Sequence, residues 1–299
     1  MFKTKGIFFS LWLFFSFSIV YGAGPSHRIS LTIKGLKNTT VYLGYHFGDK
    51  SYKLDSVKLQ TKSSFEFSGN DELPGGVYFI LLKSGKYFEF VIDKEQKFSI
   101  QCDTTDFTGT MKVTGSPENT AFCEYLKYVT GKHAEVVKYE KEGNRAQIDS
   151  VNAQVKRYKE KFGRMHSDYL LSKVFAAGDV PVIPPSPKLP NGRIDSTFPY
   201  RYYKYHYFDN VDFSEDRLVR SPVFFPRIKE YMNKLTIQNP DSIIVAADYL
   251  ISKVKPGGDM FKFIVTYITS TYEMSNIMGM EGVFVHMAKK YYSPQQTPW

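Results

Sequence analysis

From residue 27 to about residue 115, apolar and polar positions alternate with a period of two, and the alternation breaks at turn residues. This is the pattern of antiparallel strands with one face toward a core. Ile29, Leu31 and Ile33 share a face, as do Val41, Leu43 and Tyr45; Leu54, then Val57 and Leu59, mark a third strand, and Phe65 and Phe67 alternate in the next. Val77-Tyr78-Phe79-Ile80-Leu81-Leu82 is apolar throughout and is bounded by Pro74-Gly75-Gly76 and Ser84-Gly85. A short unbroken run of this kind predicts a central strand buried on both faces. Phe88, Phe90 and Ile92 follow, then Phe98, Ile100 and Cys102, then Met111 and Val113. Eight short strands with turns about every ten residues predict a β-sandwich.

The period then changes. Ser116 is placed to cap a helix whose first residue is Pro117, where the missing N–H costs nothing. Phe122, Tyr125, Leu126 and Val129 share one helical face, and a polar interval with Gly131 and Gly143 separates them from a second helix. That helix carries Ile148, Val151, Val155, Tyr158, Phe162, Met165 and Tyr169 at alternating spacings of three and four, the stripe of a helix packed lengthwise on another. Two partners fit it: the Phe122 helix in an intramolecular hairpin, or the same Ile148–Tyr169 stripe of a second copy in a homodimer. Gly178 closes this part. Pro181, Pro184, Pro185, Pro187 and Pro190 then stiffen the chain into an extended linker.

From Tyr202 to Pro222 aromatic residues crowd the first half and charged ones the second. Tyr203, Tyr205 and Tyr207 alternate with Lys204 and His206, which predicts a short extended piece with one aromatic face. Four apolar stripes follow: Phe224, Ile228, Tyr231 and Leu235; Ile243, Ala247, Leu250 and Val254; Phe261, Ile264, Val265, Ile268 and Tyr272; Phe284, Met287, Ala288 and Tyr291. Asn239 caps the second and Pro256-Gly257-Gly258 ends it. Met274, Met278, Met280 and Met287 are core gap-fillers or a soft groove. The chain is therefore predicted to be α+β, an N-terminal antiparallel β-sandwich followed by a mainly α-helical domain. The sandwich spans 26–115, a helical hairpin or connector 116–178, the Pro-rich linker 179–201, a helical bundle 202–292 and a tail 293–299.

Composition changes this picture at the N-terminus. Lys3 and Lys5, an apolar run from Gly6 and the small residues Gly22, Ala23 and Gly24 make residues 1–22 a secretory signal peptide. The run is shorter than the roughly 20 residues that span a bilayer, and no cysteine sits at its exit to take a lipid. The mature chain is thus expected in the periplasm without stable membrane insertion, with outer-membrane association left open. The formal charge is +9. Loss of Lys3 and Lys5 takes the 39 basic residues to 37, against 30 acidic. The lysines are spread rather than clustered, which argues for a solvated surface and against nucleic acid.

Candidate chemistry is sparse. Cys102 and Cys123 are the two cysteines; they do not form a Cys-x-x-Cys pair, and they are either a structural disulfide suited to an oxidising compartment or separate thiols. Six scattered histidines supply no close metal-ligand spacing. Asp209, Asp212, Glu215 and Asp216 lack the spacing of a calcium loop and have Arg217 and Arg220 as neighbours, so they are expected to be a structural charge cluster. No catalytic, cofactor-binding or metal residue is expected, and hence no cofactor and no enzyme.

Several stretches are similar to the non-catalytic N-terminal region of TlpA/ResA-like thiol–disulfide interchange proteins of the Gram-negative envelope. In the β part these are Leu54-Asp55-Ser56-Val57, Phe65-Glu66-Phe67-Ser68-Gly69, Gly76-Val77-Tyr78 and Gly115-Ser116-Pro117-Glu118-Asn119. In the helical part they are His206 to Phe213, Arg217-Leu218, Tyr249-Leu250 and Glu281 to Tyr292. The resemblance implies a β domain and a helical domain, both of unknown function, that precede a thioredoxin-like domain. The Cys-x-x-Cys of that domain has no counterpart here, and Trp299 falls about where the linker to it would begin. Two functions follow as expectations: an accessory module that positions or docks an envelope protein or peptide, or a free-standing periplasmic ligand-binding or scaffold protein.

Overall fold

A computed structural model describes residues 25–60 and 62–292; the expected signal peptide and the tail 293–299 lie outside them. Eight strands build the first domain: β1 (His27–Lys34), β2 (Thr40–Phe47), β3 (Lys50–Lys58), β4 (Ser64–Gly69), β5 (Gly76–Leu82), β6 (Tyr87–Ile92), β7 (Lys97–Asp103) and β8 (Lys112–Thr114). They form two four-stranded sheets ordered β4-β1-β7-β8 and β3-β2-β5-β6. Every pairing is antiparallel except β1 with β7, which run parallel in the register Ile29–Phe98 and Leu31–Ile100. The sandwich is therefore antiparallel-rich, not purely antiparallel. Ile29, Leu31, Leu43, Tyr78, Ile80, Phe90 and Ile100 close its core.

The continuous apolar run of β5 has two cores to serve. Tyr78 and Ile80 face the other sheet, whereas Val77, with Val91 of β6, belongs to the core of the helices. Val77 thus reaches the helical core, but Phe79 and Leu81 on the same face are only half-buried, so the expected burial on both faces is complete on the Tyr78–Ile80–Leu82 face alone.

The helices are α1 (Phe107–Thr110), α2 (Pro117–Lys141), α3 (Arg145–Met165), α4 (Leu170–Gly178), α5 (Phe198–Tyr205), α6 (Phe224–Asn233), α7 (Pro240–Lys253), α8 (Asp259–Glu273) and α9 (Glu281–Tyr291), with a 3₁₀ turn at Asp216–Arg220. Ser116 accepts the Asn119 N–H and Asn239 the Ser242 N–H, so both sequence-predicted caps are made. Gly131 does not interrupt α2, since one glycine costs only about 1 kcal/mol in a long helix. The break comes at Gly143, in the left-handed region at φ 65°. Part of the heptad stripe packs within the chain: Tyr158 lies 4.5 Å from Tyr128 and 5.9 Å from Tyr125 of α2, and Phe162 lies 5.3 Å from Phe175 of α4, while Met165 is exposed.

Asn119 joins the two domains. Its side-chain amide accepts from the Val91 N–H at 2.7 Å and donates to the Val91 carbonyl at 2.7 Å. One buried side chain thereby takes the place of a further strand on the open edge of β6. Asn119→Ala strands both backbone groups away from water, and a loss of about 2 kcal/mol is expected in urea unfolding. An unchanged midpoint would contradict this role.

Candidate functional site

The 3₁₀ turn and the β2–β3 hairpin form the seam between sandwich and helices. The Gly48 N–H donates to the Val219 carbonyl at 2.8 Å. Gly48 has φ 57°, and a Cβ there would fall 1.8 Å from the Phe263 ring, so both backbone and space require glycine. Arg217 pairs with Asp93 of the β6–β7 turn and, at 2.5 Å, with Glu215. Arg220 pairs with Asp259 of α8 and sits 5.4 Å over the Phe47 ring.

The carboxylate run disperses into this architecture. Asp209 meets His206 Nδ1 at 2.7 Å, and Asp212 meets Lys173 of α4 at 3.0 Å. Glu215 holds Arg217. Asp216 accepts the Asp259 and Met260 N–H groups at 2.8 and 2.7 Å, so it caps α8 from a distance because Gly258 has no side chain to do it. The four carboxylates turn to different partners. Among the described residues no three His, Cys, Asp or Glu side chains gather as a metal set.

Cys102 and Cys123 are free thiols, so the expected disulfide alternative is not formed. Cys102 points into the sandwich core, and Cys123 donates to the Met111 carbonyl at 3.3 Å. Burial pushes the Cys102 thiol up to about 12 and raises that of Cys123. Neither is poised as a thiolate nucleophile.

The aromatic stretch is helical, which corrects the extended reading. Asp195 accepts the Thr197 N–H and hydroxyl at 3.0 and 2.8 Å and pairs with Arg201 at 2.7 Å, fixing the entry to α5 before Pro199 in its first turn. On a helical period Tyr203 and Tyr207 fall one turn apart on the inner side. Tyr207 is buried against Arg227, whose guanidinium lies 3.9 Å from its ring, and donates to Glu230 at 2.8 Å. Tyr205 is turned outward, 80% exposed. The linker accordingly ends at Thr197, before α5, and is itself folded back at Lys188–Ile194.

The outer face of α5 makes one wall of a groove of about 580 Å³ with Tyr200, Arg201, Lys204 and Tyr205. Tyr231 of α6, nearly buried, Tyr249 and Lys253 of α7, and Asp209 complete its lining. The Tyr231 and Tyr249 rings lie 6.0 Å apart. Lys204 Nζ sits 5.7 Å over Tyr231, and Lys253 Nζ 5.0 Å over Tyr249. Arg201 and Asp209 are held by Asp195 and His206, whereas neither lysine has a carboxylate partner among the described residues. Burial lowers the Lys204 ammonium below its ordinary value. A smaller crevice of about 470 Å³ lies in the seam between the β2–β3 hairpin and α8, where Phe47 meets Phe263 edge-on. The Thr197-Phe198-Pro199 start could have revealed α5 from the sequence; Tyr231, Tyr249 and Lys253 carried no such signal.

Residues 137–298, more than half of the chain, match the family described as a domain of unknown function, DUF5106, and the chain belongs to that family. Residues 27–122 match a second domain of unknown function, DUF4369, which coincides with the sandwich and the start of α2. No curated protein matches the chain. Among solved structures, the NMR structure of a protein from Eubacterium rectale is 14% identical, covers 31% of this chain and 88% of that one, and has a TM-score of 0.19.

Proposed function

We propose that this protein is an exported, non-catalytic docking module of the kind that precedes a thioredoxin-like domain, and that it holds an envelope protein or peptide in the tyrosine groove. The observation that carries this reading is the pair Lys204 and Lys253, two cations without carboxylate partners set over aromatic faces in a cleft of ligand size. The nearby cations Arg201, Arg217, Arg220 and Lys173 are all internally paired, so their charge serves the fold. The two buried thiols, raised away from the thiolate form, support a binding rather than a thiol-exchange role. The sequence resemblance supports the thioredoxin-linked version.

A photo-reactive residue placed at Tyr205 is expected to capture one identifiable envelope partner, and the same residue at Tyr87, on the β domain, is not. Capture is expected to disappear with Lys204→Glu and Lys253→Glu together. Identical products from both positions, or turnover by the purified chain in an insulin-reduction assay, would overturn the proposal. The coding DNA downstream of Trp299 separates the two versions of the role. An in-frame continuation with Cys-x-x-Cys supports the thioredoxin-linked module, and a stop codon there supports a free-standing binding protein.

A further inference from the structure

Resting on the docking reading, we propose that the occupant of the groove is an acidic peptide segment bearing an aromatic side chain. Its carboxylates would meet Lys204 and Lys253, and its ring would lie against the exposed tyrosines of the groove, Tyr205 and Tyr249.

The chemistry of the lining selects this class. The two ammonium groups come from different helices, one from α5 and one from α7, and both line the groove, so a ligand with more than one negative charge can meet both. Beside them the accessible surface is tyrosine. Tyr231 is nearly buried, while Tyr200, Tyr205 and Tyr249 remain exposed. Rings of this kind favour offset or edge contact with another aromatic ring, and a cation above them adds to the attraction for an electron-rich face.

The carboxylates at the groove already have cationic partners, so the charge left over there is that of the two lysines. Asp209 is taken by His206, and Asp195, beside the rim, is taken by Arg201 and Thr197. Tyr200 turns its hydroxyl to the Leu235 carbonyl at 2.8 Å. An acidic peptide with an aromatic residue answers both features of the lining, the lysines and the exposed tyrosines, whereas an acidic glycan brings no aromatic ring.

The test uses the full mature chain and three fluorescent probes: the peptide Asp-Glu-Tyr-Asp-Glu, its amide counterpart Asn-Gln-Tyr-Asn-Gln, and a labelled oligogalacturonate. Fluorescence anisotropy is expected to show the acidic peptide bound at least about tenfold more tightly than the amide peptide. The preference should shrink as salt rises from about 0.05 M to about 0.5 M, because exposed charge pairs are screened over a few ångströms at high salt. Lys204→Ala with Lys253→Ala should weaken the acidic peptide about tenfold with the melting temperature unchanged. Tyr249→Ala should weaken both peptides alike.

Equal affinity for the two peptides overturns the proposal, as does binding of the oligogalacturonate in preference to the acidic peptide. If the Tyr205 cross-link persists while the acidic peptide fails to bind, the docking reading stands and the acidic occupant falls. If both fail, both fall.

Discussion

Arg217→Ala is expected to cost about 4 kcal/mol in stability, the largest effect of any single surface-proximal charge in the protein. Arg217 sits on the 3₁₀ turn and reaches Asp93, on the sandwich, and Glu215 at the same time. The side chains of those carboxylates are only 11% and 14% exposed. Removing the guanidinium leaves two neighbouring negative charges with little access to water, and that penalty, not the lost attraction, is what dominates. Packing contributes as well, since the Arg217 stem lies against Gly75 so closely that a Cβ there would be 2.5 Å from its Cδ. The control is Lys94→Ala. Lys94 and Asp168 form a well-shaped pair at 3.0 Å, but both are 64% exposed, and no measurable change is expected. Urea unfolding of the two variants side by side decides the matter. Similar behaviour would show that the seam is not held by charge.

Glu118→Gln is expected to make the protein more stable above pH 7 and to flatten its pH dependence. Glu118 is buried at the first turn of α2, where it accepts the Leu171 N–H of α4 at 2.8 Å. Burial pushes its carboxyl from the ordinary 4.5 up to about 7. The Leu171 N–H opposes this, Asp93 adds to it, Arg217 opposes it and Glu95 adds to it. Below pH 4.5 the group is protonated in both the folded and unfolded chains and has no effect on stability. Between about 4.5 and about 7 the folded chain holds the proton and the unfolded chain releases it, so stability falls as pH rises. The fall is complete above about 7 and amounts to roughly 3 kcal/mol. The glutamine amide that replaces the carboxyl cannot ionise, and its oxygen still accepts from Leu171, so the variant should lack this slope. Parallel stability curves for the two proteins between pH about 5 and about 8 would refute the assignment.

Both residues were visible in the sequence, Arg217 beside a carboxylate run and Glu118 in a helix-start motif, yet neither role was. The charge cluster read at Asp209–Asp216 is structural, but its decisive partner, Asp93, lies 124 residues from Arg217. The cap of α8 is likewise supplied by Asp216 from another part of the chain. The heptad stripe of α3 was legible as a packing face, while its partners, α2 and α4, depended on where the chain turned back. Tyr203, Tyr205 and Tyr207 misled because alternation of tyrosine with polar residues fits a strand, although Pro199 and the Asp195–Thr197 turn start a helix a few residues earlier.

By itself the sequence determined the strands, the main helices, the caps at Ser116 and Asn239 and the buried Tyr78–Ile80–Leu82 face of β5. Periodicity and capping are set by residues within a turn or two of one another, so a local reading recovers them. Only the tertiary structure decided that Arg217 joins the domains, that Glu118 loses water and that Lys204 and Lys253 line one groove over tyrosine rings. Those outcomes depend on which distant surfaces are brought together, because desolvation and charge pairing act through space and leave no spacing rule along the chain.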